Sequence, residues 1–278
     1  MQLTAITWNL FHGRDFPPDP ALFTWRSRLL RLSERNDTHV QVNRDLFPEF
    51  ATMLASADWD VALLQECPPR FAKPLARVCC AERHRALTSR NSLGAVRALA
   101  ARLNPDLIAS GEGGSNLTLL RATDTGGAIV ERREVTIHAG KPERRAMALT
   151  RTAAGLCIAN LHATAGDDKL ATEDVLGAAR VATEWAGESP LLFGGDLNLR
   201  PARVPAVFEQ LRDRFGLSPS TAPGAIDHLL VRGMEVGEPP HAWAPERREV
   251  RQSGLALRLS DHAPVEGKFD LSVTRQSG

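Results

Sequence analysis

Alternating apolar and polar residues mark the first element of the chain. Over residues 3–10, leucine, isoleucine and tryptophan alternate with threonine and asparagine, which predicts a strand that ends at Asn9. The glycine and three prolines of residues 11–20 predict a loop. Apolar residues recur every three or four positions between 40 and 57, which predicts a helix, and the apolar run 61–66 predicts a buried strand that ends on a carboxylate. The order strand, helix, strand favours a sheet covered by helices.

Similar patterns predict the elements in the rest of the chain. An alanine-rich stretch predicts a helix at about 94–103, and two aspartates at 167–168 offer an N-cap for a helix at about 168–186. Prolines, arginines and glutamates predict an irregular segment over 237–254. The remaining predictions are strands at 116–121, 128–137, 145–152, 156–162, 190–196, 226–231 and 263–271, and a helix at about 203–214. The three strands between 128 and 162 are typical of an antiparallel meander.

Composition narrows the class of protein. The 278 residues contain no repeat, low-complexity tract or long linker, which predicts one domain over 1–278 with a core of about 3–271. The net charge is only +1, from 34 basic and 33 acidic residues. The overall electrostatic field of the protein is therefore too weak to attract nucleic acid or an anionic membrane. Four cysteines without CxxC or zinc-ligand spacing favour free thiols in a reducing compartment. With no secretion signal and no apolar stretch near the ~18–20 residues of a membrane span, we expect a cytoplasmic protein.

The strand ends carry the candidate chemistry. Two glycines precede Asp196, and Asn198 follows two positions later, a spacing that places both side chains on one face of an extended chain. The glycines predict a close backbone approach that leaves room for a ligand. The other predicted strand ends also carry polar or ionisable residues: Asn9, Glu66, His162, Asp227 with His228, and Asp261 with His262. In a layered α/β domain such ends converge into one cleft.

A cluster of this composition predicts a bound cation. The carboxylates of Glu66, Asp196 and Asp261 do not gather in a low dielectric without neutralisation. Oxygen donors without cysteine suit Mg²⁺, with Mn²⁺ as a substitute, better than zinc. Neutral imidazoles beside such a cation are suited to bind a phosphoryl oxygen or to carry a proton.

Seven short motifs make the sequence resemble the endonuclease/exonuclease/phosphatase superfamily. They occur in that family's order and span residues 7–265: Thr7-Trp8-Asn9, Leu64-Gln65-Glu66, Ser115-Asn116-Leu117-Thr118-Leu119-Leu120, Asn160-Leu161-His162, Gly194-Gly195-Asp196-Leu197-Asn198, Ile226-Asp227-His228 and Ser260-Asp261-His262-Ala263-Pro264-Val265. The superfamily includes abasic-site endonucleases, pancreatic-type DNases, neutral sphingomyelinases and inositol-polyphosphate phosphatases. The resemblance implies an α/β (α+β) fold, a four-layer sandwich of two packed mixed β-sheets flanked by helices.

The resemblance also implies roles for individual residues. Glu66 resembles the principal metal ligand, with Asn9 and Asp261 as further metal ligands. Asp196 would orient or deprotonate the attacking water, and Asn198 would hold that water or a phosphoryl oxygen.

For the phosphate, the resemblance points to histidines and an arginine. His262 would contact the scissile phosphate with Asp227 fixing its orientation, and His162 would donate to a phosphoryl oxygen or protonate the leaving group. Asn116 is a secondary candidate for binding substrate phosphate. Arg145, or its neighbour Arg144, is expected to face that phosphate.

Three departures from the family pattern weaken a DNA-repair assignment. The chain contains no tyrosine, Phe11 stands where an acidic residue is frequent, and His228 stands where an aromatic residue is commoner. We expect His12 and His228 to make local hydrogen bonds. Five arginines are expected on solvated faces: Arg26, Arg28, Arg31, Arg83 and Arg85.

The function predicted from sequence is Mg²⁺-dependent hydrolysis of phosphoester bonds by in-line attack of an activated water. A nuclease-like phosphodiesterase acting on DNA or RNA is favoured. The alternative is a phosphatase or phosphodiesterase acting on a phospholipid headgroup or on a sugar or inositol phosphate. A non-catalytic binding module on the same fold is a third hypothesis, although the predicted ligands and the terminal histidine are all present. The sequence leaves the oligomeric state open.

Overall fold

The computed structural model describes residues 2–88, Leu99, Asn104, 114–122, 127–140 and 143–271. Its helices are α1 (Trp25–Leu30), α2 (Phe47–Ser56), α3 (Ala72–Val78), α4 (Asp168–Ala186) and α5 (Pro205–Phe215). Its strands are β1 (Gln2–Asn9), β2 (Glu34–Arg35), β3 (Val40–Gln41), β4 (Val61–Gln65), β5 (Ala81–Leu87), β6 (Ser115–Arg121), β7 (Ile129–His138), β8 (Arg145–Thr152), β9 (Cys157–His162), β10 (Leu191–Asp196), β11 (Asp227–Arg232), β12 (Glu235–Ala242), β13 (Glu249–Gln252), β14 (Leu255–Arg258) and β15 (Val265–Asp270).

Two large mixed sheets form the centre of the fold. One has six strands in the order β12-β15-β1-β4-β6-β5, and the other has five in the order β11-β10-β9-β8-β7. Each contains one parallel pair, β1 with β4 and β9 with β10, among antiparallel neighbours. The predicted sandwich of mixed sheets is confirmed, and so is the antiparallel meander β7-β8-β9.

Alternate residues along each strand point to opposite faces of its sheet. One face of each sheet contributes to an inner core between the two sheets, and the other face contributes to an outer core beneath the helices. Leu3 and Ala5 of β1 pack between the sheets, with Leu63 of β4. Their neighbours Ile6 and Trp8 point the other way, into the core beneath α2 and α3. Because both faces of β1 are buried, its sequence is apolar on both sides.

Helices α4 and α5 cover the outer face of the five-stranded sheet. Asp167 caps α4 by accepting from the backbone N–H groups of Lys169 and Leu170, at 2.9 and 3.1 Å. The buried stripe of α4 recurs every three or four residues: Ala171, Val175, Ala178 and Ala182. Helices therefore lie outside both sheets, as the four-layer prediction required.

The predicted helix over 40–57 was wrong at its start. Helix α2 begins at Phe47, with Pro48 in its first turn, whereas Val40–Gln41 forms the short strand β3. Proline is tolerated only in the first turn of a helix, so the helix does not extend back to residue 40. The apolar periodicity of that stretch reflects burial of Val42 and Leu46 in the same core, without helical backbone.

The predicted irregular segment 237–254 was also wrong. It contains most of β12, a 3₁₀ turn at Pro245–Arg248 and strand β13 of a hairpin with β14. Proline does not break β12, because β12 is an edge strand and its pairing with β15 shifts register twice. No element was predicted at the positions of helices α1 and α3 and strand β5. The predicted helix 94–103 lies outside the described residues except for Leu99.

Candidate active site

Strand register gathers the site residues at one end of the sandwich. Asp196, the last residue of β10, lies opposite His162 of β9 and opposite Asp227 of β11. Neighbours across a strand pair share a face of the sheet, so the three side chains point the same way. In the other sheet Asn9 ends β1 opposite Gln65 at the end of β4.

Two buried hydrogen bonds join the sheets beneath this site. Asn9 Nδ2 donates to Asp196 Oδ2 at 2.9 Å, and Gln65 Nε2 donates to Asn160 Oδ1 at 2.8 Å. All four side chains are buried. The position of one sheet relative to the other is therefore fixed where the polar residues meet. Gln65 and Asn160 belong to the sequence motifs, but their cross-sheet contact was not predicted.

The glycines before Asp196 make room for neighbouring strands. A Cβ on Gly194 would lie 2.5 Å from the carbonyl oxygen of His228, and a Cβ on Gly195, at φ 134°, would collide with the carbonyl of Leu161. The expectation that these glycines leave room for a ligand was wrong. The backbones of β9 and β11 occupy that space, and the close approach holds Asp196 between them.

Asp196 is buried, and both of its carboxylate oxygens accept hydrogen bonds. It is 1% exposed, and its Oδ1 accepts from the backbone N–H of Asn198 at 3.1 Å while Oδ2 accepts from Asn9. Burial raises the pKa of Asp196 to about 7, Asp227 adds to the rise, and His262 acts against it. A carboxylate with this pKa is suited to take a proton from water near neutral pH.

His262 lies between two carboxylates. Its Nδ1 donates to Asp227 Oδ2 at 2.7 Å, and its Nε2 lies 3.8 Å from Asp196 Oδ2. Burial on its own lowers the pKa of His262, but the charge and hydrogen bond of Asp227, with the charges of Asp196 and Asp261, raise it to about 10. The ring is therefore an imidazolium at neutral pH, and both of its nitrogens are donors.

Among the described residues, the ligand atoms of Asp196, Asp227 and His262 lie within 4.8 Å of one another, close enough to surround a metal ion. This is not the ligand set predicted from sequence. The hydrogen bond from His262 Nδ1 to Asp227 Oδ2 also makes the trio a candidate pair of acid and base.

His162 is a neutral imidazole beside that pair. Its Nε2 lies 3.5 Å from Asp196 Oδ2 and 3.8 Å from Glu66 Oε1. Burial lowers the pKa of His162 well below its usual value, and the charges of Arg145, His262 and His12 lower it further. A neutral ring favours hydrogen-bond donation to a phosphoryl oxygen over protonation of a leaving group.

Glu66 has a partner that the sequence did not suggest. His12 Nε2 lies 3.2 Å from Glu66 Oε2, whereas His12 Nδ1 is buried without a hydrogen-bond partner among the described residues. A lone pair tolerates this isolation better than an N–H group, so the geometry favours Nε2–H donation to Glu66. Phe11, His12 and Glu66 all have left-handed backbones, with φ of 46°, 53° and 45°. Such strained conformations cluster at functional sites.

A buried arginine holds the loop that carries His262. Nη1 of Arg248 donates to the carbonyl oxygens of Ser260 and His262, both at 2.7 Å. Trp8 Nε1 also donates to the carbonyl of His262, at 3.0 Å, and Ser260 Oγ donates to that of Asn9, at 2.6 Å. Sequence reasoning missed Arg248, which lies in the segment expected to be irregular, and nothing in the local pattern identifies it.

The structure separates the two candidate arginines. Arg145 is 5% exposed, and its charge adds to the effect of burial in lowering the pKa of His162. Arg144 is exposed and donates to the Leu87 carbonyl and to Thr136 Oγ1, at 3.1 and 3.0 Å. Of the two candidates, Arg145 is therefore the buried one, and Arg144 lies on the surface.

Three other predicted residues have local partners. Asn198 donates from Nδ2 to the Ala163 carbonyl at 3.1 Å, and Asn116 donates from Nδ2 to the Ala146 carbonyl at 2.7 Å. The Oδ1 of Asn116 is buried without a hydrogen-bond partner among the described residues. His228 makes the expected local hydrogen bonds, since its Nδ1 accepts from Thr221 N–H and its Nε2 contacts the Ala225 carbonyl, and Nε2 also contacts the more distant Leu199 carbonyl.

The oxygen-rich side of the site fits a divalent cation. Glu66 and Asp261 lie at the solvent-exposed edge of the site, with side chains that are 23% and 31% accessible. Burial raises the pKa of Asp261, and the charge of Glu66 raises it further against the opposing effect of His262. A cation at this position would offset the negative charge that Glu66 places beside Asp261. Asn9 contributes less directly, because its Oδ1 already accepts from Phe11 N–H at 2.9 Å.

Solved structures share this fold at low sequence identity. An endonuclease/exonuclease/phosphatase family protein from Bacteroides thetaiotaomicron matches 98% of this chain and 99% of its own, at 15% identity and a TM-score of 0.64. A mannosyl-6-phosphatase from the same organism matches 96% and 99%, at 15% identity and a TM-score of 0.61. Truncated TDP2 from Caenorhabditis elegans matches 97% of both chains, at 14% identity and a TM-score of 0.56.

These likenesses establish the fold. No family model matches the sequence, and no curated protein is significantly similar to it. Within the described part of the chain, every helix is too short or too polar to span a membrane.

Proposed function

We propose that this chain, which has the fold of the endonuclease/exonuclease/phosphatase proteins, hydrolyses phosphoester bonds by in-line attack of water on phosphorus. The observation that carries the proposal is the arrangement around Asp196. A buried carboxylate with a pKa of about 7 lies within 4 Å of two imidazoles, His162 and His262, of opposite protonation state. Titratable groups whose environments drive their pKa values apart are typical of acid–base catalysis.

Each group has a distinct task in this mechanism. Asp196 orients the attacking water and takes its proton as the water oxygen bonds to phosphorus. The bond from phosphorus to the leaving oxygen breaks, and the leaving group takes a proton from solvent. The imidazolium of His262, held by Asp227, donates to a phosphoryl oxygen and stabilises the charge that develops there. His162 donates to a second oxygen as a neutral group, and Arg145 supplies positive charge behind it.

The residues that would hold a cation are Glu66 and Asp261, with Asn9 at the edge of the site. Oxygen donors of this kind suit Mg²⁺ or Mn²⁺. When bound, the ion would neutralise the phosphate oxygens and lower the barrier to attack by an anionic or polar nucleophile. His12 would keep Glu66 in the orientation required for binding.

The reaction class is supported better than the substrate. Nucleic acid remains the prediction from motif resemblance, and a small phosphoester remains its alternative. In the proposed mechanism every catalytic group acts on the phosphate or on the attacking water, so the same groups would serve either substrate.

The proposal is tested with bis(p-nitrophenyl) phosphate and p-nitrophenyl phosphate, each with Mg²⁺ or with EDTA. We expect hydrolysis that requires the cation. Asp196→Asn and His262→Ala should each lower kcat by about 10²–10⁴-fold. Asp213→Asn and His241→Ala, exposed and outside the site, are the matched controls. Near-normal turnover by folded Asp196→Asn would refute the mechanism, and turnover indifferent to EDTA would refute the cation.

A further inference from the structure

Helix α1 presents its apolar side chains to solvent. Trp25, Leu29 and Leu30 are 67%, 54% and 53% exposed, whereas Ser27 is the one buried residue of the helix. Leu32 and Phe16 nearby are 41% and 39% exposed. These five account for most of the nine large apolar side chains found exposed among the described residues. We call the five, with the arginines between them, the Trp25 surface.

Polar contacts at Thr24 and Ser27 hold the helix among the described residues. Thr24 Oγ1 accepts from Ser27 N–H at 3.1 Å, and the Ser27 carbonyl accepts from Asn43 Nδ2 at 3.0 Å. A surface helix ordinarily turns its apolar stripe toward the core. Here the polar residue faces inward and the apolar ones face outward, which is the pattern of a segment that binds an apolar partner.

Positive charge accompanies the exposed apolar side chains. Arg26, Arg28 and Arg31 alternate with them and are themselves exposed. Residues 20–36 contain four arginines and a single acidic residue, Glu34, in a chain whose net charge is only +1. The expectation that these arginines form a merely solvated face did not anticipate the apolar side chains between them.

The Trp25 surface adjoins the candidate active site. A row of aromatic contacts connects them: Phe11, two residues after Asn9, lies 5.8 Å from Phe16 between ring centroids, and Phe16 lies 5.1 Å from Phe23. The Phe16 backbone N–H donates to the Arg258 carbonyl at 2.8 Å, just before the loop of Asp261 and His262. A partner bound at this surface would therefore be presented to the site.

We propose that the Trp25 surface docks the protein onto a lipid bilayer that contains anionic headgroups. Tryptophan and leucine side chains enter the boundary between headgroups and acyl chains, and interleaved arginines attract the anionic surface. Single-stranded nucleic acid fits less well, because bases stack on aromatic or guanidinium planes and three of the five apolar side chains are leucines. A second copy of the chain fits less well too, because a stable interface needs about 20–30 residues from each side.

This inference deepens the proposed function and rests on it for one consequence. If the site hydrolyses phosphoesters, docking makes the headgroup phosphate of a lipid its substrate class. Docking itself does not depend on hydrolysis and is measured separately.

The test is co-sedimentation with vesicles, using Asp196→Asn so that no lipid is consumed. We expect binding to phosphatidylcholine vesicles that contain about 30 mol% phosphatidylglycerol, and weak binding to phosphatidylcholine alone. The variant Trp25→Ser/Leu29→Ser/Leu30→Ser should bind about tenfold more weakly or worse, and Arg26→Ser/Arg31→Ser should lose binding most at low salt. Val130→Ser/Val236→Ser, which removes exposed valines elsewhere, is the control and should bind as the parent does.

Several outcomes would overturn the docking proposal. The proposal fails if the parent does not bind vesicles, or if the Trp25 triple variant binds them equally well with an unchanged circular dichroism spectrum. It also fails if the parent instead forms a dimer, or binds single-stranded DNA, in a way that the triple variant abolishes. Hydrolysis of bis(p-nitrophenyl) phosphate by the wild type separates the two proposals. Hydrolysis without vesicle binding refutes docking alone, and vesicle binding without hydrolysis refutes the catalytic proposal alone.

Discussion

Nδ1 of His262 donates to Oδ2 of Asp227 at 2.7 Å, although the two residues are 35 positions apart in the chain. The other nitrogen of the same ring lies 3.8 Å from Asp196, which carries a raised pKa of its own. One carboxylate thus keeps the imidazole charged and oriented while the second remains available for a proton. If the site has the proposed activity, these different roles of the two aspartates predict that the activity depends on pH.

The rate should follow a bell-shaped pH profile. Asp196 must be deprotonated to act as a base, so activity rises as the pH passes about 7. His262 must be protonated to donate, so activity falls as the pH passes about 10. In Asp227→Asn the alkaline limb should move to lower pH, and kcat at pH 9 should drop by about 10–10²-fold. The check is a pH–rate series on both proteins, and an unmoved alkaline limb would contradict the role of Asp227.

The same pair should make stability depend on pH. The folded pKa of His262, about 10, lies above the ordinary value of 6.5, so its stabilising contribution is complete below pH 6.5 and is lost as the pH rises through 10. Asp227→Asn removes this contribution, which we expect to be about 1.5–3 kcal/mol. The difference in unfolding free energy between wild type and variant should be largest near pH 6 and should shrink toward pH 10. A difference that grows with pH would show that the sign is wrong.

Sequence reasoning reached the strand ends of the candidate site because their signals are local. Asp196 follows an apolar run and two glycines, and the same reading placed Glu66 and His162 at the ends of β4 and β9. It missed Arg248 and gave His12 only a local role, because the importance of each lies in contacts with distant segments. Arg248 binds backbone carbonyls 12 and 14 residues away, and His12 lies next to a carboxylate 54 positions later. Backbone carbonyls carry no sequence signal.

His12 should tune the affinity for the cation. Its Nε2–H holds one oxygen of Glu66 and leaves the other for binding, and loss of such an orienting group typically costs about 10–10²-fold in metal affinity. We expect His12→Ala to weaken Mg²⁺ or Mn²⁺ binding by that factor and His12→Gln, which retains a donor, to weaken it less. Isothermal titration calorimetry measures this without turnover. His39→Ala is the matched control, since His39 pairs with Glu249, outside the site. Equal affinity in wild type and His12→Ala would show that the contact is incidental.

Arg248 should position His262 without touching substrate. Replacing it with methionine preserves much of the volume but removes the side-chain donor to the carbonyls of Ser260 and His262, of which the His262 carbonyl keeps Trp8 Nε1, at a cost of about 1–3 kcal/mol in unfolding free energy. We expect Arg248→Met to lower kcat while KM stays near its wild-type value, and to shift the alkaline limb of the pH profile. Arg248→Lys should recover part of the loss. A variant that loses stability but keeps kcat and the pH profile would restrict Arg248 to a structural role.

The glycine before Asp196 should be essential to the fold. A methyl group on Gly195 would collide with the Leu161 backbone, and the φ of 134° disfavours any residue with a side chain. Gly195→Ala therefore requires β9 and β10 to separate, and we expect at least about 3 kcal/mol of destabilisation or failure to fold. Gly177→Ala on α4, where a Cβ meets nothing within 4 Å, is the matched control and should be neutral or stabilising by about 0.5–1 kcal/mol. Comparison of the two variants by urea unfolding checks this expectation. If Gly195→Ala unfolds at the wild-type midpoint, the close approach of β9 to β10 at Asp196 is looser than the structure indicates.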